Sequence, residues 1–215
     1  MGTYIREPIN ALTHLVGAML AFAGLLLLVI KASITTSSAL SITAVILFGV
    51  SMILLYAASA TYHSAIATKE VIAFLRRVDH SMIFVFIAGT YTPICLISLQ
   101  GTTGWILFVV IHLLALLGVF YKLIWFRSPR WLSTLLYIAM GWLIIMFSFP
   151  LTTILGVNGM LLLLIGGIFY TIGGVIYATK PTFLTFKHLG FHEIFHLFIL
   201  LGSLFHFLCI FYFVL

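Results

Sequence analysis

The sequence predicts an all-α integral membrane protein, built as a seven-transmembrane helix bundle. Of its 215 residues, 64% are hydrophobic and only 7% are charged. A soluble domain carries about a quarter charged residues, so this chain lacks the polar side chains that a water-facing surface needs. Apolar runs such as residues 23–30 show no alternation of apolar and polar positions, which argues against the strands of a membrane β-barrel.

Seven stretches are long enough to cross a bilayer, because one helical span needs about 20 mostly apolar residues. The predicted spans are residues 13–33, 41–64, 80–99, 103–125, 131–152, 157–179 and 192–214. The connections between them are short, so residues 1–215 form a single integral membrane domain. The polar segment from Met1 to Pro8 and the long apolar run after it favour a retained first span over a cleaved signal peptide.

The basic residues give the orientation. With seven spans, nine of the ten lysines and arginines fall on one side of the membrane, and only Lys31 falls on the other. The nine are Arg6, Lys69, Arg76, Arg77, Lys122, Arg127, Arg130, Lys180 and Lys187. The positive-inside rule places the N-terminus in the cytoplasm and the C-terminus outside. The net charge of +6 is therefore a topology signal and an attraction to anionic headgroups, and no nucleic-acid partner is expected.

Polar residues occur at the predicted cytoplasmic ends of three spans. Ser59 and His63 lie four apart at the end of span 2, Asp79 opens span 3, and His192 and His196 lie four apart at the start of span 7. A spacing of four places two side chains on one helix face. Ionisable groups at membrane depth are costly and usually functional, so these clusters are predicted to meet at one site.

Three imidazoles and an open fourth position form a zinc site of the catalytic type. His63, His192 and His196 are the predicted ligands of a Zn²⁺ cofactor. Asp79 is predicted to orient a ligand or shuttle protons, and Ser59 to hydrogen-bond the same water.

A second candidate base lies between the two histidines of span 7. The string from His192 to His196 matches the zinc-protease motif His-Glu-x-x-His, in which the glutamate is the general base. Glu193 is rotated by about 100° from His192 on a helix, so Asp79 is the preferred base and Glu193 the alternative.

The remaining histidines and both cysteines favour structural roles. His112 and His206 are predicted to be interfacial or to make interhelical hydrogen bonds, and His188 to be solvated in a basic loop. Cys95 and Cys209 are isolated thiols in apolar runs, typical of packing residues rather than of a disulfide.

The polar motifs together, over nearly the whole chain, resemble the bacterial haemolysin III family, within the progestin and adiponectin receptor (PAQR) superfamily. The matching motifs are Glu7-x-x-Asn10-x-x-x-His14, Ser59-x-x-x-His63, Asp79-His80, Ala88-Gly89-Thr90-Tyr91-Thr92-Pro93, Ala139-Met140-Gly141-Trp142 and His192-x-x-x-His196.

The resemblance implies a seven-helix protein of the bacterial inner (plasma) membrane, with zinc held by His63, His192 and His196. It implies that Ser59 and Asp79 lie by the metal. The wider superfamily looks like membrane hydrolases of lipid amides such as ceramides, so membrane lipids are the expected substrates or ligands. Membrane homeostasis is the expected cellular role.

Two roles stay open for the segment before span 1. Glu7, Asn10 and His14 are three and four residues apart, so a helix would align them. They either hydrogen-bond basic residues of a neighbouring loop and fasten span 1, or line the active cavity.

Two other functions compete with hydrolysis. A cytolytic, pore-forming haemolysin needs a polar lumen, and no span shows a long polar stripe. A receptor or regulator of membrane state would use zinc structurally, but structural zinc usually has four protein ligands, and the sequence offers three.

Overall fold

The computed structural model describes residues 5–125, 128–187 and 189–215, and these residues form helices without any strand. The helices are α1 (Pro8–Thr35), α2 (Ala39–Ser64), α3 (Lys69–Pro93), α4 (Gly101–Ile124), α5 (Arg130–Trp142), α6 (Ser148–Thr179) and α7 (Phe191–Cys209). π-helical turns extend α3 through Ile94–Leu99 and α7 through Ile210–Val214, and a 3₁₀ turn at Leu143–Phe147 joins α5 to α6. The predicted all-α class is confirmed.

Six helical stretches in the described residues are long and apolar enough to cross a membrane, where the sequence predicted seven spans. The difference lies in the stretch Arg130–Thr179, which runs for 50 residues and contains both predicted spans 131–152 and 157–179. Its backbone is not helical at Gly156, where φ is 67° and ψ is 174°. Glycine adopts this left-handed φ without a Cβ clash, so the stretch is broken at that point. The chain is a multi-pass integral membrane protein.

Helix α3 begins at Lys69, well before the predicted start of span 3 at residue 80. Its first turns carry Lys69, Glu70, Arg76 and Arg77, and charged residues of this kind can remain helical outside the apolar core of a bilayer. Hydropathy detects only the apolar part of such a helix. Asp79 therefore lies inside α3, at the point where its apolar part begins, and the start of span 3 near residue 80 stays a prediction.

The order of packing brings the first and the last helix together. Helices α1 to α4 pack in sequence, each on the next, and α6 packs on α7. Helix α7 also packs against α1, so the start of α7 lies beside the start of α1 and the end of α2. Large apolar side chains such as Leu20, Leu117 and Phe149 are exposed on the outer faces, as expected where lipid is the solvent.

A polar network ties three helices together within the bundle. The Tyr56 hydroxyl of α2 donates to Ser203 Oγ of α7 at 2.5 Å, and the Tyr170 hydroxyl of α6 donates to the same oxygen at 3.0 Å. Beside it, a Cβ on Gly202 would lie 2.5 Å from the Tyr170 ring. The missing side chain at Gly202 therefore allows α6 and α7 to approach closely enough for this network.

Candidate metal centre

Three histidines converge where the end of α2 meets the start of α7. One possible ligand atom from each of His63, His192 and His196 lies within 4.8 Å of the others. His63 Nε2 and His192 Nε2 are 3.3 Å apart. His63 and His196 are each only 1% exposed. The structure thus brings together the three residues predicted from spacing and common depth.

The second ring nitrogen of His63 has a carboxylate partner. His63 Nδ1 lies 2.5 Å from Glu7 Oε2, and the other carboxylate oxygen of Glu7 lies 3.3 Å from Arg6 Nε. Burial raises the pKa of Glu7, but the hydrogen bond from His63 and the positive charges of His63 and Arg6 outweigh it and leave the pKa below its usual value. An ionised Glu7 fixes the proton of His63 on Nδ1 and leaves Nε2 available for a metal.

His196 is oriented in the same way by a hydroxyl group. Its Nδ1 lies 3.4 Å from Thr13 Oγ1, and Thr13 donates its own proton to the Asn10 carbonyl oxygen at 3.0 Å. The Thr13 oxygen can therefore accept a hydrogen bond from the N–H at His196 Nδ1, which leaves Nε2 of His196 for coordination. Two of the three imidazoles are thus held by partners outside the cluster, as is usual for metal ligands.

The donor set and the spacing of one ligand pair fit a tetrahedral metal ion. With metal–nitrogen bonds of 2.0–2.1 Å, two ligands of a tetrahedral site lie about 3.3–3.4 Å apart. The His63–His192 separation of 3.3 Å agrees with that value. Imidazole groups bind zinc and also copper, iron and nickel. The geometry therefore supports a metal site and does not by itself select one of these metals.

The site opens into a cavity of about 180 Å³ inside the bundle. His192 and His196 line it together with Ser59, Asp79 and His14, and most of the other lining side chains are apolar. Ser59 lies beside the Asp79 carboxylate, whose Oδ2 lies 3.4 Å from His80 Nδ1. Asp79 is not among the residues close enough to ligate a metal together with the histidines in the described chain.

Glu193 is occupied by structural contacts. Its Oε2 accepts the backbone N–H of Gly190 at 2.8 Å, which caps the start of α7, and its Oε1 accepts Asn10 Nδ2 at 2.7 Å. Because Asn10 belongs to α1, these bonds fasten α7 to α1. The zinc-protease interpretation of Glu193 as a base finds no support in this geometry.

The segment before and within α1 contributes more to the site than its spacing indicated. Glu7 contacts a metal-ligand candidate rather than the basic residues of a neighbouring loop, and His14 lies on the cavity wall with its ring stacked on His196 at a centroid distance of 3.6 Å. The alignment of Glu7, Asn10 and His14 predicted a shared helix face, but it could not show that this face meets α2 and α7. Thr13 gave no signal in the sequence.

Two of the remaining histidines make the predicted interhelical contacts. His112 Nε2 lies 3.5 Å from Thr92 Oγ1, and His206 Nε2 donates to the Leu163 carbonyl oxygen at 3.2 Å. Cys95 and Cys209 are free and buried, which confirms that they form no disulfide. His188 and Arg127 lie outside the described residues.

Comparison with known proteins identifies the family of the chain. The family model "Haemolysin-III related" matches residues 3–207. The chain is 42% identical to "Hemolysin-3" of Bacillus cereus, over 100% of this chain and 95% of that protein. It is 40% identical to "Hemolysin-3 homolog" of Bacillus subtilis (strain 168), over 99% of this chain and 96% of that protein. The chain therefore belongs to the haemolysin III family.

Proposed function

We propose that the protein is a zinc-dependent hydrolase of membrane lipid amides or esters that contributes to membrane homeostasis, and that it lies in the bacterial inner membrane. The observation that carries this proposal is a cluster of three histidines, two of which, His192 and His196, line the same cavity as the carboxyl group of Asp79. His63, His192 and His196 supply three ligands, and three-ligand zinc sites with an open position are usually catalytic.

The chain supplies the remaining parts of a hydrolytic site. Zinc held by three imidazoles provides a Lewis acid and makes a water nucleophilic near neutral pH. Asp79 faces the same cavity and can accept a proton from the attacking water and return it to the leaving group. Ser59 lies beside Asp79, where its hydroxyl group can orient the carboxylate.

The apolar lining of the cavity supports a lipid substrate. Side chains such as Ile138, Ile145 and Leu164 line it away from the metal centre, where they can accommodate an acyl chain. A lipid bound in this way would present its amide or ester group to the polar end of the cavity, beside His192 and Asp79.

We further propose that Arg130–Thr179 crosses the membrane twice, which gives seven spans with the N-terminus inside. A continuous helix of 50 residues would be about 75 Å long, against a hydrocarbon core of about 30 Å. The break at Gly156 allows the chain to reverse there. Labelling of single cysteines placed at residues 69 and 157 in intact cells tests the arrangement: residue 157 should react with an impermeant reagent, and residue 69 should not.

The test of the hydrolase proposal uses the purified protein with a ceramide and with an ester of matched chain length. Released fatty acid is measured by mass spectrometry for wild type, Asp79→Asn and the matched control Glu70→Gln, whose carboxylate is exposed on the same helix. We expect turnover by wild type and the control, with a loss of about 10²–10⁴-fold in Asp79→Asn at unchanged zinc content. Absence of any release from zinc-loaded wild type, or full activity in Asp79→Asn, contradicts the proposal.

A second candidate function, cytolysis, rests on the name of the Bacillus cereus relative, "Hemolysin-3". Liposomes containing the purified protein and a trapped dye distinguish the two functions. A pore releases dye without lipid cleavage, whereas a hydrolase releases fatty acid while the dye stays inside at low turnover.

A further inference from the structure

A second, smaller pocket lies beside the cavity, between α3, α4 and α5. Its walls include four basic side chains and two hydroxyl groups, those of Arg76, Arg77, Lys122, Arg130, Ser128 and Ser133. Its volume is about 30 Å³, against the 10–15 Å³ or so that a single water needs. The pocket therefore has room for a small polar group.

Lys122 is the buried cation of this pocket. The residue is 9% exposed, and its ammonium group donates to Ser133 Oγ and, at 3.3 Å, to Ser128 Oγ. Both partners are neutral hydroxyl groups. Taking an ammonium group out of water is costly unless an opposite charge compensates it, so the site lacks a negative charge.

The chain's own carboxylates do not supply that charge. All four acidic side chains lie in the described residues, and none of them forms a salt bridge with Lys122 there: Glu7 pairs with Arg6 and His63, and Asp79 pairs with His80. Asp79 lies near Arg76 but does not line the pocket. Glu70 is exposed and Glu193 is bound to Asn10.

The positive charges gather around one point. Arg76 lies close enough to Lys122 for their charges to repel, and the Arg130 guanidinium lies 5.4 Å from the centre of the Tyr177 ring. Arginine and lysine side chains with serine hydroxyls are the donors that bind phosphate oxygens. Basic pockets between membrane helices bind anionic lipid headgroups for the same reason.

We propose that this basic pocket binds a phosphate group, carried either by an anionic phospholipid headgroup or by free inorganic phosphate. The phosphate supplies the negative charge that Lys122 lacks. His80 and Tyr177 line both this pocket and the large cavity, and His80 Nε2 lies 2.8 Å from the Tyr177 hydroxyl. This pair forms the partition between the two spaces. The phosphate site stands whether or not the metal centre is a hydrolase.

The test measures thermal unfolding of the full-length protein in a nonionic detergent against three probes. These are inorganic phosphate, a short-chain phosphatidylglycerol, and sodium chloride at matched ionic strength. We expect saturable stabilisation by at least one phosphate probe beyond the chloride control. A response to both phosphate probes assigns the free ion as a ligand, and a response to phosphatidylglycerol alone assigns the lipid headgroup.

Variants of the pocket residues test whether the phosphate probes bind in the basic pocket. Lys122→Met should weaken the apparent affinity at least tenfold, and the matched control Lys69→Met, exposed on the same end of the bundle, should leave it unchanged. If Lys122→Met does not fold, Arg130→Gln takes its place with the same expectation. Stabilisation no greater than that by chloride, or equal affinity in the pocket variants and wild type, overturns the proposal.

Discussion

Replacing Glu7 with glutamine removes the negative charge beside His63 and keeps the size of the side chain. In the structure, Glu7 Oε2 lies 2.5 Å from His63 Nδ1. This contact fixes the tautomer of His63 that presents Nε2 to the other two histidines. A glutamine oxygen can still accept the proton of Nδ1, so the variant tests the charge rather than the hydrogen bond alone.

The expected effect follows from the position of the carboxylate. Losing a partner of this kind typically costs about 10–100-fold in metal affinity. The Glu7 side chain is 40% exposed, and solvent screens its charge. We therefore expect a loss near the lower limit, about tenfold, which corresponds to about 1.4 kcal/mol in binding free energy.

Competition against a chromophoric zinc chelator measures this affinity in detergent. Wild type and Glu7→Gln are compared with Glu70→Gln, in which an exposed carboxylate near the same end of the bundle is neutralised. The control should bind zinc as wild type does. If Glu7→Gln also binds zinc with wild-type affinity, the charge of Glu7 does not help His63 to bind a metal, and the role given to Glu7 is wrong.

Three further predictions concern stability and metal retention. Gly202→Ala should destabilise the protein by about 1–3 kcal/mol, because the new Cβ meets the Tyr170 ring. The control Gly141→Ala has open space around the new Cβ and should not lower the melting temperature. Equal melting temperatures of the two variants would contradict the packing of α6 on α7. Zinc content should fall as the pH is lowered from 7.5 towards 5, because imidazole ligands must be deprotonated to bind. A constant zinc occupancy over that range would argue against histidine ligands. Removing the metal with a chelator should lower the melting temperature, and adding zinc should restore it, since a ligand bound only to the folded state stabilises that state. An unchanged melting temperature would indicate that no metal had been bound.

The site could be predicted in large part because two independent sequence signals agree on its depth. The basic residues mark one end of the helices, and His63, His192 and His196 fall at that same end. The i, i+4 spacing of His192 and His196 places both on one face of α7, and the structure brings that face to the end of α2. Spacing within one helix carries this information, because helical geometry is fixed.

Contacts between helices were harder to predict. The partner of Glu7 could not be identified because a one-dimensional pattern does not show which helices are neighbours. The start of α3 could not be predicted from hydropathy, because Arg76 and Arg77 lower the hydropathy of a helix that continues beyond its apolar part. The break at Gly156 could not be predicted, because any glycine can adopt its backbone conformation and the sequence does not show which glycines do.

The metal content of the purified protein tests the central claim most directly. Elemental analysis is made on wild type, on a triple variant with His63, His192 and His196 changed to alanine, and on His112→Ala, which removes a partly buried histidine outside the cluster. We predict about one zinc ion per chain in wild type and in His112→Ala, and none in the triple variant. Equal zinc in all three proteins, or no zinc in wild type, would contradict a three-histidine metal centre.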